Sequence, residues 1–337
     1  MAFTENGTTL INDSGALSLT GLTLTSTDRL NVGITAKLPT ATFQGVTAGF
    51  TSGGYVGPKS AVIDKFTFAA DNTSTNVGSI SQARYNIGGN SSATFGYTTG
   101  GINPSDSQNT TTIDKYPFSI SSGTGTSVGA LSTGRQGLVG QSSIPYGYGW
   151  STGGQTGSVI DKFAFASDGN ATSVGTITVA RYTAAGQSSA TYGYTSGGVS
   201  QDNSTYYSTI DKFPFASSTN ATSVGSLAVS RRYGSGLSST ISGYTASGQI
   251  ASATYNTIDK FPFATDTNAT GVASLAISKS GAAGVSSTDY GYSVGAYLIP
   301  STTVTSQIDR FGFAADTSGI ISGALSQKRY ASSGQQV

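Results

Sequence analysis

The chain has 337 residues, 17 basic against 16 acidic side chains, a net charge of +1, no cysteine and no histidine. Near-neutral charge gives no long-range pull toward nucleic acid or anionic lipid, and the lack of Cys and His removes disulfides, zinc centres and nucleophile–histidine catalysis. Charged residues are only 10% of the chain, against roughly 25% in an ordinary soluble domain; Gly, Ser and Thr take their place, and the aromatic content argues against low-complexity disorder.

The N-terminus, Met1-Ala2-Phe3-Thr4-Glu5-Asn6, lacks the basic start and apolar stretch of a signal peptide, so none is expected. No run approaches the ~18 apolar residues of a membrane span, and no membrane insertion is expected. Residues 1–40 form a segment apart. Ala16-Leu17-Ser18-Leu19-Thr20 alternates, with Leu22 and Leu24 continuing one face. This is a strand-like arm, too short to fold alone.

From residue 41 the chain repeats itself. Ile-Asp, followed by Lys or Arg and an aromatic, occurs at Ile63-Asp64, Ile113-Asp114, Ile160-Asp161, Ile210-Asp211, Ile258-Asp259 and Ile308-Asp309, at spacings of 50, 47, 50, 48 and 50 residues. A fixed period of this size means that one supersecondary unit is stacked.

The fourth copy shows the unit. Arg181 opens a run of small residues to Ser189. Thr191 to Gly198 follows, with Tyr192 and Tyr194 on one face of a strand and Gly197-Gly198 at its end. After a variable stretch, Thr209 to Ala216 alternates again. Ile210 is out of step with Phe213 and Phe215, which predicts a bulge or bend near Asp211-Lys212. Pro214 has no donor, so the strand ends there or lies near an edge. Ser217 to Thr222 reads as a turn, Ser223 to Val229 as a strand, and Arg231 starts the next copy. Four short strands per unit and no helical period fit the blades of a β-propeller. The small residues suit innermost strands crowded around an axis, and the aromatics of the next two strands fill the space between blades.

Six aromatic second strands are centred on Phe50, Tyr97, Trp150, Tyr194, Tyr244 and Tyr292, and the basic residue recurs as Arg84, Arg135, Arg181, Arg231, Lys279 and Arg329. Arg329 to Gln335 matches Arg181 to Gln187 with no second strand after it, while the first copy has a second strand at about Val46–Gly54 and a poor match upstream. The C-terminal segment Tyr330–Gln335 is therefore expected as the innermost strand of the blade that contains Phe50, closing the ring without an open edge. The expected fold is all-β: a six-bladed propeller of four-stranded blades over residues 41–337, closed by the C-terminal strand, with the arm at 1–40.

From about 41 to 337 the pattern resembles the kelch repeat, carried by Arg181, Tyr194, Gly197-Gly198 and Ile210-Asp211-Lys212-Phe213. It departs from that pattern in its single Trp, Trp150, at the Tyr194 position, and in the Gly pair, which reads Ser247-Gly248 and Val294-Gly295 in the last two copies.

Chemistry is scarce. Without His the commonest general base and metal ligand is missing. The repeated acids Asp64, Asp114, Asp161, Asp211, Asp259 and Asp309, with the repeated Arg84, Arg135, Arg181, Arg231, Lys279 and Arg329, are expected to tie the blades together through ion pairs or backbone contacts. Asp71, Asp168, Asp266 and Asp316 recur in one turn. The unrepeated acids Glu5, Asp13, Asp28, Asp106, Asp202 and Asp289 are scattered, so no converging carboxylate pair of a glycosidase is expected. Asp168-Gly169-Asn170 lacks the acid-rich spacing of a calcium loop. No catalytic residue, cofactor or metal is expected. Asn-X-Ser/Thr triplets such as Asn220-Ala221-Thr222 recur at a repeat turn, which explains them without glycosylation.

Recognition is expected where the copies differ. The second-to-third-strand loops, Tyr55–Val62, Ile102–Thr112, Gln155–Val159, Val199–Thr209, Gln249–Thr257 and Tyr297–Gln307, vary in length and carry Tyr55, Tyr206, Tyr207, Tyr255 and Tyr297. They share one face with the interblade loops. Variable loops on a rigid scaffold are where binding sits, and exposed Tyr suits protein and sugar contact alike; plain solvated loops are the bland alternative.

The wording of the repeat, IDKFPFA…NATSVG…GQSS…GYTSGG, also resembles repeats of virion structural proteins of tailed bacteriophages, especially those of marine bacteria. That resemblance implies a tail, baseplate, fibre or surface component, assembled in the host cytoplasm and located in the virion. Its expected partners are other virion proteins through the N-terminal arm, and a host-surface glycan or protein. A free-standing lectin-like or protein-binding propeller is the alternative. An enzyme on a propeller scaffold is the weakest reading, because copper sites of that kind use His and Cys. The arm either packs on its own propeller or docks on a partner.

Overall fold

The computed structural model describes residues 3–5, 8–11, 43–70, 73–103, 105 and 107–337. The chain divides into two units, 1–40 and 41–337. In the first, Phe3–Glu5 and Thr8–Ile11 pair as an antiparallel hairpin; the alternating stretch from Ala16 to Leu24 lies outside the described residues.

The second unit is a six-bladed β-propeller of antiparallel sheets. Blade four shows the order from axis to rim: Ala185–Ser188, Tyr192–Ser196, Thr209–Pro214 and Thr222–Ser226. Each innermost strand touches those of the blades before and after it, and the sixth returns to the first. In blade one the innermost strand is Ser333–Gln336, which pairs with Ala48–Ser52 through Ser333↔Ser52 and Gln335↔Phe50. The ring thus closes with its C-terminal strand. That strand starts three residues later than the sequence pattern implied, because Tyr330 stays at the mouth of the ring and bridges to Tyr55.

Three repeated contacts explain why these residues make a ring. First, the aromatic of each second strand packs on the aromatic pair at the end of the next blade's third strand, two Phe in five blades and Tyr116 with Phe118 in blade two. Tyr194 lies 4.9 Å from Phe263 and 5.4 Å from Phe261; Trp150 lies 4.3 Å from Phe215, and Phe50 5.0 Å from Phe118. Each such pair adds about 0.5–1.5 kcal/mol beyond area burial. Second, every innermost strand carries Gly at the level where neighbours meet. A Cβ on Gly236 would sit 2.2 Å from the Gly186 carbonyl oxygen, and one on Gly334 2.0 Å from that of Gly284. Third, the Asn of the repeated turn reaches back to the preceding blade: Asn220 Oδ1 accepts from the Thr176 amide, and Asn268 Oδ1 from that of Ser226.

In every blade the pairing of third and outer strands slips between the Ile and the Asp. The extra residue lies on the outer strand, Val224 in blade four, opposite Ile210-Asp211. Pro214 ends its strand. Two expectations need correction. In blade six the residue that holds the first Gly position is Gly295, with φ +61°, so the pair is Gly295-Ala296; in blade five Ser247 itself takes the left-handed conformation at φ +62°. And two of the expected open loops are hairpins. Ala253–Pro262 pairs with Gln249–Ile250 in blade five, and in blade six Tyr290–Leu298 runs on beside Thr303–Gly312. The Thr, Tyr and Val alternation there favours pleated pairing over a solvated loop.

Candidate functional site

The repeated charges lie inside the blades. Arg181 Nη1 is 3.0 Å from Asp211 Oδ2, Arg84 pairs with Asp114 at 2.7 Å, Arg135 with Asp161 at 3.0 Å, Arg231 with Asp259 at 2.8 Å, and Lys279 with Asp309 at 3.0 Å. Arg329 pairs with Asp64 at 3.0 Å and so locks the closing strand. Each pair is wholly buried. The carboxylate also accepts from the connection that arrives from the previous blade: the Thr178 amide and hydroxyl bond Asp211, and those of Ser326 bond Asp64. Burial pushes the Arg181 guanidinium and the Lys279 ammonium below their ordinary values, and the facing carboxylate opposes that shift. The residue after the Asp works between blades, with Lys115 on Asp168, Lys212 on Asp266 and Lys260 on Asp316. These pairs tie strands together within and between blades. Among the described residues no group of three or more His, Cys, Asp or Glu could hold a metal ion.

The variable loops and the interblade connections share one face. The residue after each repeated Arg or Lys meets the start of the second-to-third-strand loop: Tyr330 with Tyr55, Tyr85 with Ile102, Tyr182 with Val199, Arg232 with Gln249, Ser280 with Tyr297. The five tyrosines named from sequence are all half-buried on this side. They do not form one group. Tyr206 lies under the Arg232 guanidinium, and Tyr255 sits beside Arg231 on an extended strand. Tyr55 and Tyr297 are brought together by Tyr85 and Tyr330, two residues that lie outside the variable loops. Ring centroids run 5.1 Å from Tyr85 to Tyr55, 5.7 Å on to Tyr330 and 5.3 Å on to Tyr297. Burial, with the phenols of Tyr233, Tyr55, Tyr85 and Tyr297 around it, pushes Tyr330 up to about 12. The signal for these residues was the Arg-Tyr pair at 84–85, 181–182 and 329–330, read there as the start of an innermost strand.

The next residue in each connection builds the axial mouth. Asn86, Gly137, Thr183, Tyr233, Gly281 and Ala331 all have φ between +53° and +67°. Their amides and carbonyls form a closed circle: Asn86 N–H donates to Ala331 O, Gly137 to Asn86, Thr183 to Gly137, Tyr233 to Thr183, Gly281 to Tyr233 and Ala331 to Gly281, at 2.6–2.9 Å. A bulky residue in the left-handed region is an outlier held by its surroundings. Tyr233, from blade five, meets the Asn86 side chain of blade two and lies beside Tyr85, Tyr182 and Arg232; burial leads the upward shift of its phenol. Beyond it, Asn86 donates to Gln136 and Gln136 to Gln155, at 2.9 and 2.5 Å. The six residues of the circle, the innermost-strand glycines and Phe43 line an axial cavity of ≈ 120 Å³.

Phe43 marks the opposite face. Gln44 Nε2 donates to Ser238 O, Gln336 Nε2 to Phe43 O, and Gly45 pairs with Ser287. The chain therefore enters the ring near the axis, on the side of the first-to-second-strand turns. Exposed apolar side chains gather there: Val46, Ile241 and Tyr290, with Ile320 and Ile321 on the outer strand of blade six.

No protein-family model matches the chain, and no curated protein matches it.

Proposed function

We propose that the chain is a non-enzymatic binding propeller of a phage virion, a tail, baseplate, fibre or surface component with a kelch-like repeat, whose loop face contacts a host surface. The observation that carries this reading is the opposition of two unlike faces. One presents variable loops and a group of half-buried tyrosines around the axis. The other receives the chain at Phe43 and exposes Val46, Ile241 and Tyr290. A module held at its entry face points its variable face outward, as an attachment protein requires. The wording of the repeat supports the virion context. The non-enzymatic reading is supported by the pairing of the buried carboxylates with Arg or Lys and by a sequence without His.

In this reading residues 1–40 join the propeller to another virion protein, and no cofactor takes part. The test is incorporation. Full-length protein supplied during infection should appear in purified particles, and protein starting at Thr40 should fold as a propeller but stay out of them. Equal incorporation of both would remove the attachment role of the arm. Absence of both from particles would favour a free-standing binding propeller.

A further inference from the structure

We infer that the axial mouth on the loop face is a carbohydrate site that takes the end of an uncharged glycan. This deepens the proposed attachment function and rests on it. Tyr55, Tyr85, Tyr297 and Tyr330 make a continuous wall of phenol rings, with successive centroids 5.1–5.7 Å apart. Tyr233 of blade five and Asn86 of blade two both line the cavity at this mouth. A sugar offers what such a wall recognises: an apolar C–H face for the rings and hydroxyls for the phenol and amide edges. The Asn86–Gln136–Gln155 chain supplies neutral amides on the rim. The cations near the site are engaged, Arg232 with Asn203 and Lys59, which bridges to Tyr55, with the Asn103 carbonyl, and among the described residues there is no metal-binding carboxylate group. That chemistry selects a neutral polyhydroxylated ligand over an anionic one.

The backbone argues against a peptide. Recognition of an extended peptide draws on free main-chain donors and acceptors. Here the amide and carbonyl groups around the mouth are joined to one another in the six-membered circle. The connection residues outside them are paired with the second-to-third-strand loops. Only side chains are left to read a ligand. The cavity at the mouth is also small, ≈ 120 Å³, with Tyr233 in its lining. A chain end fits this shape and the middle of a long polymer does not.

The test uses the full-length protein on a printed array of neutral and acidic bacterial oligosaccharides, beside the variant Tyr55→Ala/Tyr85→Ala. The native protein should bind neutral members, and the variant should bind them about tenfold or more weakly, as expected for loss of aromatic anchors, with an unchanged circular-dichroism spectrum. Should the alanine variant not fold, Tyr55→Phe/Tyr85→Phe keeps the rings, removes the hydroxyls and should still weaken binding several-fold. Native protein that binds no glycan, or variants that bind as the native does, would overturn the inference. A second arm separates it from the parent reading. Protein that adheres to host cells equally well before and after periodate oxidation of their glycans attaches through another ligand, so attachment stands and the glycan site falls. Protein that adheres to neither loses both.

Discussion

At the scale of single residues, the repeated Asp and the mouth tyrosines behave oppositely. Asp211 has no exposed surface and answers Arg181 and Thr178 together. Asp211→Ala leaves a buried guanidinium unpaired, and stability should fall by about 3–5 kcal/mol, read as a large drop in unfolding midpoint; an unchanged midpoint would sink the scaffold role. Gly236→Ala should destabilise as well, by about 1–3 kcal/mol, since its Cβ meets backbone oxygen at 2.2 Å that cannot swing away. Tyr330 makes a prediction about pH. Its folded pKa is raised from 10.0 to about 12, chiefly by burial. The folded state therefore holds its proton more tightly than the unfolded state does. The stability this contributes is fully present below pH 10 and is lost as pH rises toward about 12. The native protein should lose thermal stability across that window, and Tyr330→Phe should lose less; equal losses would contradict the assignment. The repeated charges were legible in the sequence because six copies of one residue at one phase announce a shared job. Tyr85, Tyr330 and Tyr233 were not, since their importance comes from the meeting of connections from different blades, and nothing in a linear spacing brings residues 55, 85, 297 and 330 together.

At the scale of elements, period and alternation revealed the blades, and local chemistry set their edges. The slip at Ile210-Asp211 was visible as a break in alternation, though the sequence did not show that the extra residue falls on the outer strand at Val224. The extensions in blades five and six were read as loops because they differ from the other copies. Their β-branched residues, paired as Tyr297↔Val304 and Leu298↔Thr303, make them rigid hairpins instead. The closing strand was legible from the match of Arg329–Gln335 to Arg181–Gln187. Deleting residues 329–337 removes the innermost strand of blade one and the Arg329–Asp64 pair together. The second strand of that blade then becomes an unpaired edge. The truncated protein should lose its cooperative unfolding transition or aggregate. A transition at the native temperature would show that the seam is held some other way.

At the scale of the whole molecule, repetition and variation divide the work. Contacts that recur in every blade make the ring: stacked aromatics, buried ion pairs, glycines at the axis. What differs between blades gathers on the loop face, while the chain enters from the other. The sequence placed the variable loops on one face but left the axial mouth unseen, because a circle of six connections exists only once the ring is closed. The central claim, a virion propeller held at its entry face and reading a host surface with its tyrosine face, is tested most directly by cryo-electron microscopy of the native particle. The account predicts a six-bladed disc whose Phe43 side contacts a virion protein and whose Tyr55–Tyr85–Tyr330 mouth is open to solvent. A disc seated with that mouth against the particle, or particles that lack the disc, would contradict it.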